Sequence, residues 1–481
     1  MASDRSMMGD DDTFGRARAA AWLTAVIGLC TPAVPDGPFL FLPDVISFPT
    51  SQVPTQVVTG DLDLDGDPDL VVSGRGSDGL VYVLLNDGGV FGNPVSFEIG
   101  AQTDDIAIGD VDGDGIPDLV FAVRSLRGRL AVLHGRGTGG FEEPIELRLG
   151  REARGVLARD LDGDGDLDLV GLNHREPEIE ILINDGTGNF TRAPSVLVGG
   201  SAVGIPYPQA IAAEDLDGDG DFDLAVVCTG ESRVHFIRNR GDGTFDPAEG
   251  WRPVRVDGEV GGMSDIAIGD IDLDGRPDAM VPLILLGDVS HVGVFTNRDE
   301  PEGLRFDRDA AAPSTGTAGY AFTATLGDLD GDGDLEAVVG QAIPGPLTVL
   351  DNRTVPVSAG GDGVITFEPP QIVANDNFFR SVITVDVDDD CDLDIVAVDI
   401  ISNAVWVLRN ETPQSTDCGK GLRRSKPSQG PSASNLASRS TPDSVLRPID
   451  VDRDGDIDGA DLALLLESLG GGSPIEPESS P

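Results

Sequence analysis

Between residues 44 and 410 the chain runs as short apolar stretches cut by turns rich in Gly, Asp and Asn, a pattern that predicts β-strands rather than helices. The stretches come in groups of four. A small-residue strand such as Ile106-Ala107-Ile108 or Ile266-Ala267-Ile268 leads into an acidic loop, and a second such as Leu70-Val71-Val72 leaves it. A third follows, as in Leu80 to Leu85 or Ile179 to Ile183. Then come a turn ending in Phe (Asn184 to Phe190, Asn239 to Phe245) and a fourth strand such as Val95 to Ile99.

The acidic loop, Asp-x-Asp-x-Asp-Gly-x-x-Asp, recurs seven times. Its first Asp falls at Asp61, Asp110, Asp160, Asp215, Asp270, Asp328 and Asp386, with spacings of 49, 50, 55, 55, 58 and 58 residues. A period of that length with variable insertions marks a repeat fold, and four strands per unit predict an all-β chain, a seven-bladed β-propeller over residues 44–411. The seventh unit shows only three strands: Val382 to Val385, Ile395 to Val398 and Val405 to Leu408. Asp44 to Phe48, ahead of the first unit, matches the missing fourth, and its donation would close the ring and hide open sheet edges.

Composition adds a partner. The net charge of −51 would repel nucleic acid and anionic lipid and draw polyvalent cations, while 40% hydrophobic residues suffice for a packed, turn-rich core. Arg16 and Arg18 precede the apolar stretch Ala19 to Cys30, with Thr31, Pro32 and Ala33 as a cleavage region, so residues 1–33 read as a signal peptide. Asp10, Asp11 and Asp12 upstream are atypical of one. The stretch is too short for a transmembrane span. The expected location is secreted, periplasmic or at the cell surface. Cys391 and Cys418 could form a disulfide there or remain two free thiols; Cys228 lies apart from both.

Asp at positions one, three and five, Gly at six and an acid at nine let one short loop wrap oxygens around a hard cation, with Gly allowing the sharp turn. The ligand sets are Asp61, Asp63, Asp65, Asp67 and Asp69; Asp110, Asp112, Asp114 and Asp118; and Asp160, Asp162, Asp164, Asp166 and Asp168. Asp215, Asp217, Asp219, Asp221 and Asp223 follow, then Asp270, Asp272, Asp274 and Asp278. Asp328, Asp330, Asp332, Asp334 and Glu336 form the sixth set. The seventh, Asp386, Asp388, Asp390, Asp392 and Asp394, has Cys391 in place of Gly and departs most from the pattern. Position seven contributes its backbone carbonyl. Calcium suits these loops better than magnesium, which dehydrates reluctantly, and crowding four carboxylates without a cation is costly.

On these loops the chain resembles FG-GAP or VCBS-type repeat proteins, including the calcium-loop blades of integrin α-subunits, over residues 44 to 410. The resemblance implies a calcium-bound propeller and leaves the ligand open. The Phe-Gly pair survives only as Phe91-Gly92. Residues 412–447 read as a Ser/Pro/Gly-rich linker. In 448–470, Asp450, Asp452, Asp454, Asp456, Asp458 and Asp461 form an EF-hand-like loop, and Leu462, Leu465, Leu466 and Leu469 follow at helical spacing. This segment resembles one dockerin repeat, which implies a cohesin-like partner, although dockerins pair two repeats. An isolated calcium-ordered helix is the alternative. Residues 471–481 read as a disordered tail.

Alternating strand direction places the acid loops and the Asn-Asp-Gly turns at one end of the blades and the more variable connections at the other. Recognition is expected at that second end, through Tyr207, Tyr320, Arg124, Arg127, His174, Arg175 and His291. Arg240-Gly241-Asp242 aligns with the hairpin turns of other blades and reads as structure, and His134 and His235 read as packed strand residues. No motif of nucleophilic, phosphate-binding or zinc chemistry is present. The expected function is a binding or adhesion module, not an enzyme, acting as a single copy on an extracellular glycan or protein with Ca2+ bound. A scaffold component docked through its C-terminus and a polysaccharide lyase or hydrolase are the alternatives.

Overall fold

The computed structural model describes residues 38–412 apart from 49–52, 77–78, 126, 199–205, 247–253, 256–259, 286–290, 301–302, 309–319, 343–344 and 355–363. The expectations for residues 1–33, 448–470 and 471–481, and for the linker past residue 412, lie outside the described residues.

Seven antiparallel sheets form the blades of a propeller, with a small two-stranded ribbon at Asn86–Asp87 and Val90–Phe91 beside the first. No helix occurs among the described residues, so none is long and apolar enough to cross a membrane. In the first blade Pro54–Gly60, Asp69–Gly74, Leu80–Leu84 and Val95–Glu98 lie side by side in sequence order. Burial falls across the sheet: the first three strands are almost wholly covered and the fourth mostly exposed. Near-continuous apolar runs therefore form the inner strands, which are packed on both faces, and alternation survives only at the rim.

The later blades begin at Thr103–Gly109, Ala153–Arg159, Pro208–Glu214, Val260–Met263 with Ala267–Gly269, Tyr320–Gly327 and Phe379–Val385. The seventh adds Asp394–Asp399 and Ala404–Asn410, and its fourth strand is Phe41–Ser47 from the start of the chain. This strand pairs antiparallel from Phe41↔Asn410 to Ser47↔Ala404. The closure expected from Asp44 to Phe48 is present and starts earlier, at Phe41. Gln371 clamps the backbone before it, accepting the Phe39 N–H at 2.8 Å and donating to the Phe39 carbonyl at 2.6 Å.

The apolar interior is divided into seven clusters, each between two neighbouring blades. Val58, Val71 and Val83 of the first meet Ile106, Leu119 and Phe121 of the second, and Phe48, Val57 and Leu70 meet Val396, Val398 and Val405 across the closure. All seven first strands share one irregularity, a β-bulge at the end away from the acid loop, and in six of them it falls at the equivalent position. There the extra residues are Thr55, Asp104, Arg154, Gln209, Phe322 and Arg380, and each bulge turns one side chain out of the sheet's alternation.

Polar clamps join the blades at the other end. The Asn that closes the third strand sends its Nδ2 to the carbonyl of position two in the preceding blade's acid loop: Asn184 to Val111 and Asn239 to Leu161, both at 2.8 Å, and Asn86 to Val387 at 2.8 Å across the ring closure. Asn297, Asn352 and Asn410 do the same. The second blade has Gly135 at this place, because a Cβ there would lie 2.3 Å from the Pro117 carbonyl; Gly139 N–H serves Leu62 instead, at 3.1 Å. Asn184→Ala leaves the buried Val111 carbonyl and the half-buried Leu167 carbonyl without their side-chain donor and should cost about 1 to 3 kcal/mol. Urea unfolding measures this, and a variant within about 0.3 kcal/mol of the parent would show that the clamps are dispensable.

Candidate cation loops and an axial recess

Each acid loop is wound around its first Asp. Asp215 accepts from the N–H groups of Gly218, Asp219 and Gly220 at 2.7, 3.1 and 3.0 Å, and Asp61 accepts from Asp65 and Gly66 at 3.0 and 3.1 Å. Position six is left-handed, with φ of 99° at Gly66 and 94° at Gly165. Cys391 takes φ 75° at that position and donates to Asp386 Oδ2 at 2.8 Å, so the seventh loop keeps its turn despite its residue. Cys391 is disulfide-bonded, while Cys228 is a buried free thiol.

The acid at position nine does more than face the loop. Asp69 accepts the Leu62 N–H on Oδ2 and the Asn86 N–H on Oδ1, both at 2.8 Å, tying the start of the loop to the end of the third strand. Asp118, Asp168, Asp223, Asp278 and Asp394 repeat this staple. Glu336 accepts from Leu329 at 2.7 Å, and its buried Oε1 has no hydrogen-bond partner among the described residues.

Carboxylate oxygens converge in these loops. One oxygen each from Asp61, Asp63 and Asp69 lies within 4.8 Å of the others, and the same holds for Asp160, Asp162 and Asp168 and for Asp215, Asp217 and Asp223. Buried oxygens of Asp63, Asp217 and Asp388 accept no hydrogen bond among the described residues. Such a donor set fits a hard divalent cation of calcium size.

Burial pushes the position-nine acids up, to about 7 for Asp69, Asp223 and Asp394 and about 6 for Asp118 and Asp168, with neighbouring loop carboxylates adding to the rise. A folded pKa above the unfolded value near 3.9 means that the folded chain holds more protons than the unfolded one between about pH 4 and 7. Stability of the metal-free protein should therefore fall as pH rises through that window. Melting in chelator at about pH 5 and about pH 7.5 checks the sign, with the lower pH expected to melt higher. A higher melt at the upper pH would contradict it.

The loops differ in what else approaches them, a distinction the motif conceals. Arg238 lies 2.8 Å from Asp217 and 2.7 Å from Asp219, and Arg298 lies 3.0 Å from Asp272. Arg353 reaches Asp330 at 3.2 Å and Asp332 at 2.7 Å, and Arg409 is 3.5 Å from Asp388. His134, expected to pack in its strand, sits 3.1 Å from Asp112 and 3.4 Å from Asp118. Among the described residues no basic side chain pairs with the loops of Asp61 or Asp160. All these cations flank the Asn of the third strand or its equivalent, so aligning the units on that residue would have revealed them.

Arg240 pairs with Asp246, and the Asp242 carboxylate accepts from Thr244, so this tripeptide is a hairpin turn as expected. His235 is buried, 3.6 Å from Glu231.

Of the residues expected at the second end of the blades, four gather across the second to fourth. His174 and Tyr207 rings are 5.2 Å apart, and Nδ1 of His174 lies 3.1 Å from the Pro208 carbonyl. Arg175 pairs with Glu152 at 2.8 Å, and Arg124 approaches Asp104 at 3.9 Å. Arg127 is exposed in the same end's connection. Tyr320 and His291 begin strands of the sixth and fifth blades and do not join this group. Inside the group, the bulge residues line a recess with Gln56, Ser264 and Asp265, which the sequence pattern did not single out.

The family described as FG-GAP-like repeat matches residues 61–121, 110–171, 160–226 and 215–281. Residues 61–281 of the seven-bladed propeller thus match FG-GAP-like repeats. No curated protein matches it in sequence. Among solved structures it is similar to BBS1N in complex with ARL6DN, at 14% identity over 77% of this chain and 98% of that one, with a TM-score of 0.47. An Agrocybe aegerita lectin that recognises non-reducing terminal N-acetylglucosamine is 20% identical over 67% and 81% of the two chains, with a TM-score of 0.43. A catalytically inactive virginiamycin B lyase from Staphylococcus aureus is 11% identical over 76% and 99%, with a TM-score of 0.44.

Proposed function

We propose that the chain is an extracellular binding module: calcium fills acid loops at one end of the blades, and the opposite end meets a glycan or protein without turnover. The observation that carries this reading is the convergence of oxygens from positions one, three and nine in the first, third and fourth loops. The ion would neutralise a cluster that otherwise opposes folding, and the position-nine staple would transmit its binding to the third strand. Calcium here holds the scaffold, while the Tyr207 and His174 group at the other end supplies the contact surface.

Basic side chains against the loops divide them by affinity. The loops of Asp61 and Asp160 have only a cation to offset their charge and bind calcium most tightly; in those served by Arg238, Arg298, Arg353 and Arg409 a guanidinium competes with the ion. A screen of glycans and surface proteins, in calcium and in chelator, tests the function. Retention of a ligand without release of unsaturated or reducing-end sugars supports it, and sugar release would replace it with an enzyme.

A further inference from the structure

In the second blade the residue before the third strand's closing Asn or its equivalent is neither apolar, like Leu85 and Ile183, nor arginine, like Arg238 and Arg409. It is His134, and the difference changes what the loop can hold. A guanidinium at this place can only compete with a cation, whereas a neutral imidazole offers it a lone pair. Nδ1 of His134 lies 3.1 Å from Asp112 Oδ2 and 3.4 Å from Asp118 Oδ2, and the three residues bring their ligand atoms within 4.8 Å of one another. Those spacings match a small tetrahedral ion, around which bonds of about 2.0 Å place the ligand atoms roughly 3.3 Å apart.

The contact differs from an ordinary ion pair. A protonated imidazole would point its N–H at one carboxylate, yet Nδ1 is buried and makes no hydrogen bond among the described residues. Asp118 is held in place by the N–H groups of Val111, at 3.0 Å on Oδ2, and Gly135, at 2.7 Å on Oδ1; its Oδ2 keeps a second lone pair for an ion. Asp112 accepts the Asp114 N–H on Oδ1 at 3.2 Å and turns Oδ2 toward the ring. The third blade's turn packs over the same place: a Cβ on Gly188 would lie 3.4 Å from Cε1 of His134 and 3.3 Å from Cβ of Asp112. The imidazole is thus a fixed donor, its side chain 16% exposed. Nitrogen is a poor ligand for calcium, which takes oxygens, and a good one for zinc and its neighbours in the first transition row.

We propose that Asp112, Asp118 and His134 bind a divalent transition ion of the zinc class, which sets the second loop apart from the oxygen-only loops. The proposal needs the acid loops folded but not filled with calcium, so it fails or holds separately from the calcium reading. Calorimetry on the full chain with zinc chloride as the probe, in about 5 mM calcium, above the range in which extracellular loops fill, tests it. Saturable uptake of one zinc per chain is expected, weakened by about tenfold or more in His134→Gln. His134→Arg, which places there the residue type of Arg238 and Arg409, should fold and lose the same ion. His291→Gln, in the fifth blade, should bind zinc as the parent does. Cobalt(II) in place of zinc adds a spectroscopic reading, visible absorption bands that form with the parent and are lost in both His134 variants. Absence of zinc uptake in calcium would reduce the contact to a plain ion pair and overturn the proposal, as would zinc binding that both His134 variants retain. Zinc displaced by excess calcium equally from the parent and from His134→Gln would put the ion on carboxylates alone and overturn it too. Melting of the same proteins in calcium shows that the variants are folded; melting that ignores a chelator would overturn the calcium reading and leave the zinc titration to decide this site.

Discussion

A chain lacking residues 38–48 should fail to close its ring and should self-associate more than the parent. The deletion removes every partner from Phe41↔Asn410 to Ser47↔Ala404 and bares the outer edge of the Ala404–Asn410 strand. It also strips Phe39 from the cluster between the sixth and seventh blades and Phe48 from the one across the closure, with Phe41 and Ile46 packed against them. At about 1.5 to 3 kcal/mol for each fully buried large side chain, the loss reaches on the order of 4 to 8 kcal/mol, much of a typical folding free energy. The open edge invites pairing between copies. Thermal melting with size-exclusion light scattering reads both effects, and a synthetic peptide of residues 38–48 should partly reverse them. A truncated chain with the size and melting of the parent would show the closing strand to be ornamental.

Calcium removal should have the next largest effect, and an unequal one. Extracellular calcium modules hold their ion with dissociation constants of about 0.1 to 1 mM, so about 1 mM calcium stabilises by about 0.4 to 1.4 kcal/mol per occupied site. Summed over several loops this becomes several kcal/mol, seen as a fall in melting temperature on adding chelator. The first ions taken up should belong to the loops of Asp61 and Asp160. Asp63→Ala and Asp162→Ala should each remove one high-affinity ion from a calorimetric titration. Arg353→Gln should instead strengthen binding at the sixth loop by freeing Asp330 and Asp332 from their guanidinium. Melting that ignores chelator would sink the calcium assignment; chelator-sensitive melting with no change of order in these variants would sink only the role given to the arginines.

The propeller was legible because its signals are local and repeated. Loop position one, the strands on either side and the missing fourth strand all show in a single register of the sequence, and the sheets follow it. What escaped notice joins residues far apart in the chain. Asn184 reads as an ordinary turn residue until its Nδ2 is seen on Val111, in the blade before. Arg154 and Arg380 look unrelated, being separated by four blades of sequence, and become neighbours only because bulges at equivalent positions aim both at one axis. His134 illustrates the opposite error: apolar neighbours in its strand suggested packing, but its place one residue before Gly135 sets it against Asp112.

The closing strand also fixes how the propeller bears load. Phe41 and Asn410 face each other at the same end of the antiparallel pair, so a pull on the two ends of the ring opens the ladder one rung at a time, from Phe41↔Asn410 toward Ser47↔Ala404. The bonds from Leu40 to Thr412 and from Glu411 to Leu40 are the first to be loaded. The seam is therefore a zipper with its tab at the two ends of the ring, firm against sideways shear and easily peeled by tension drawn through them.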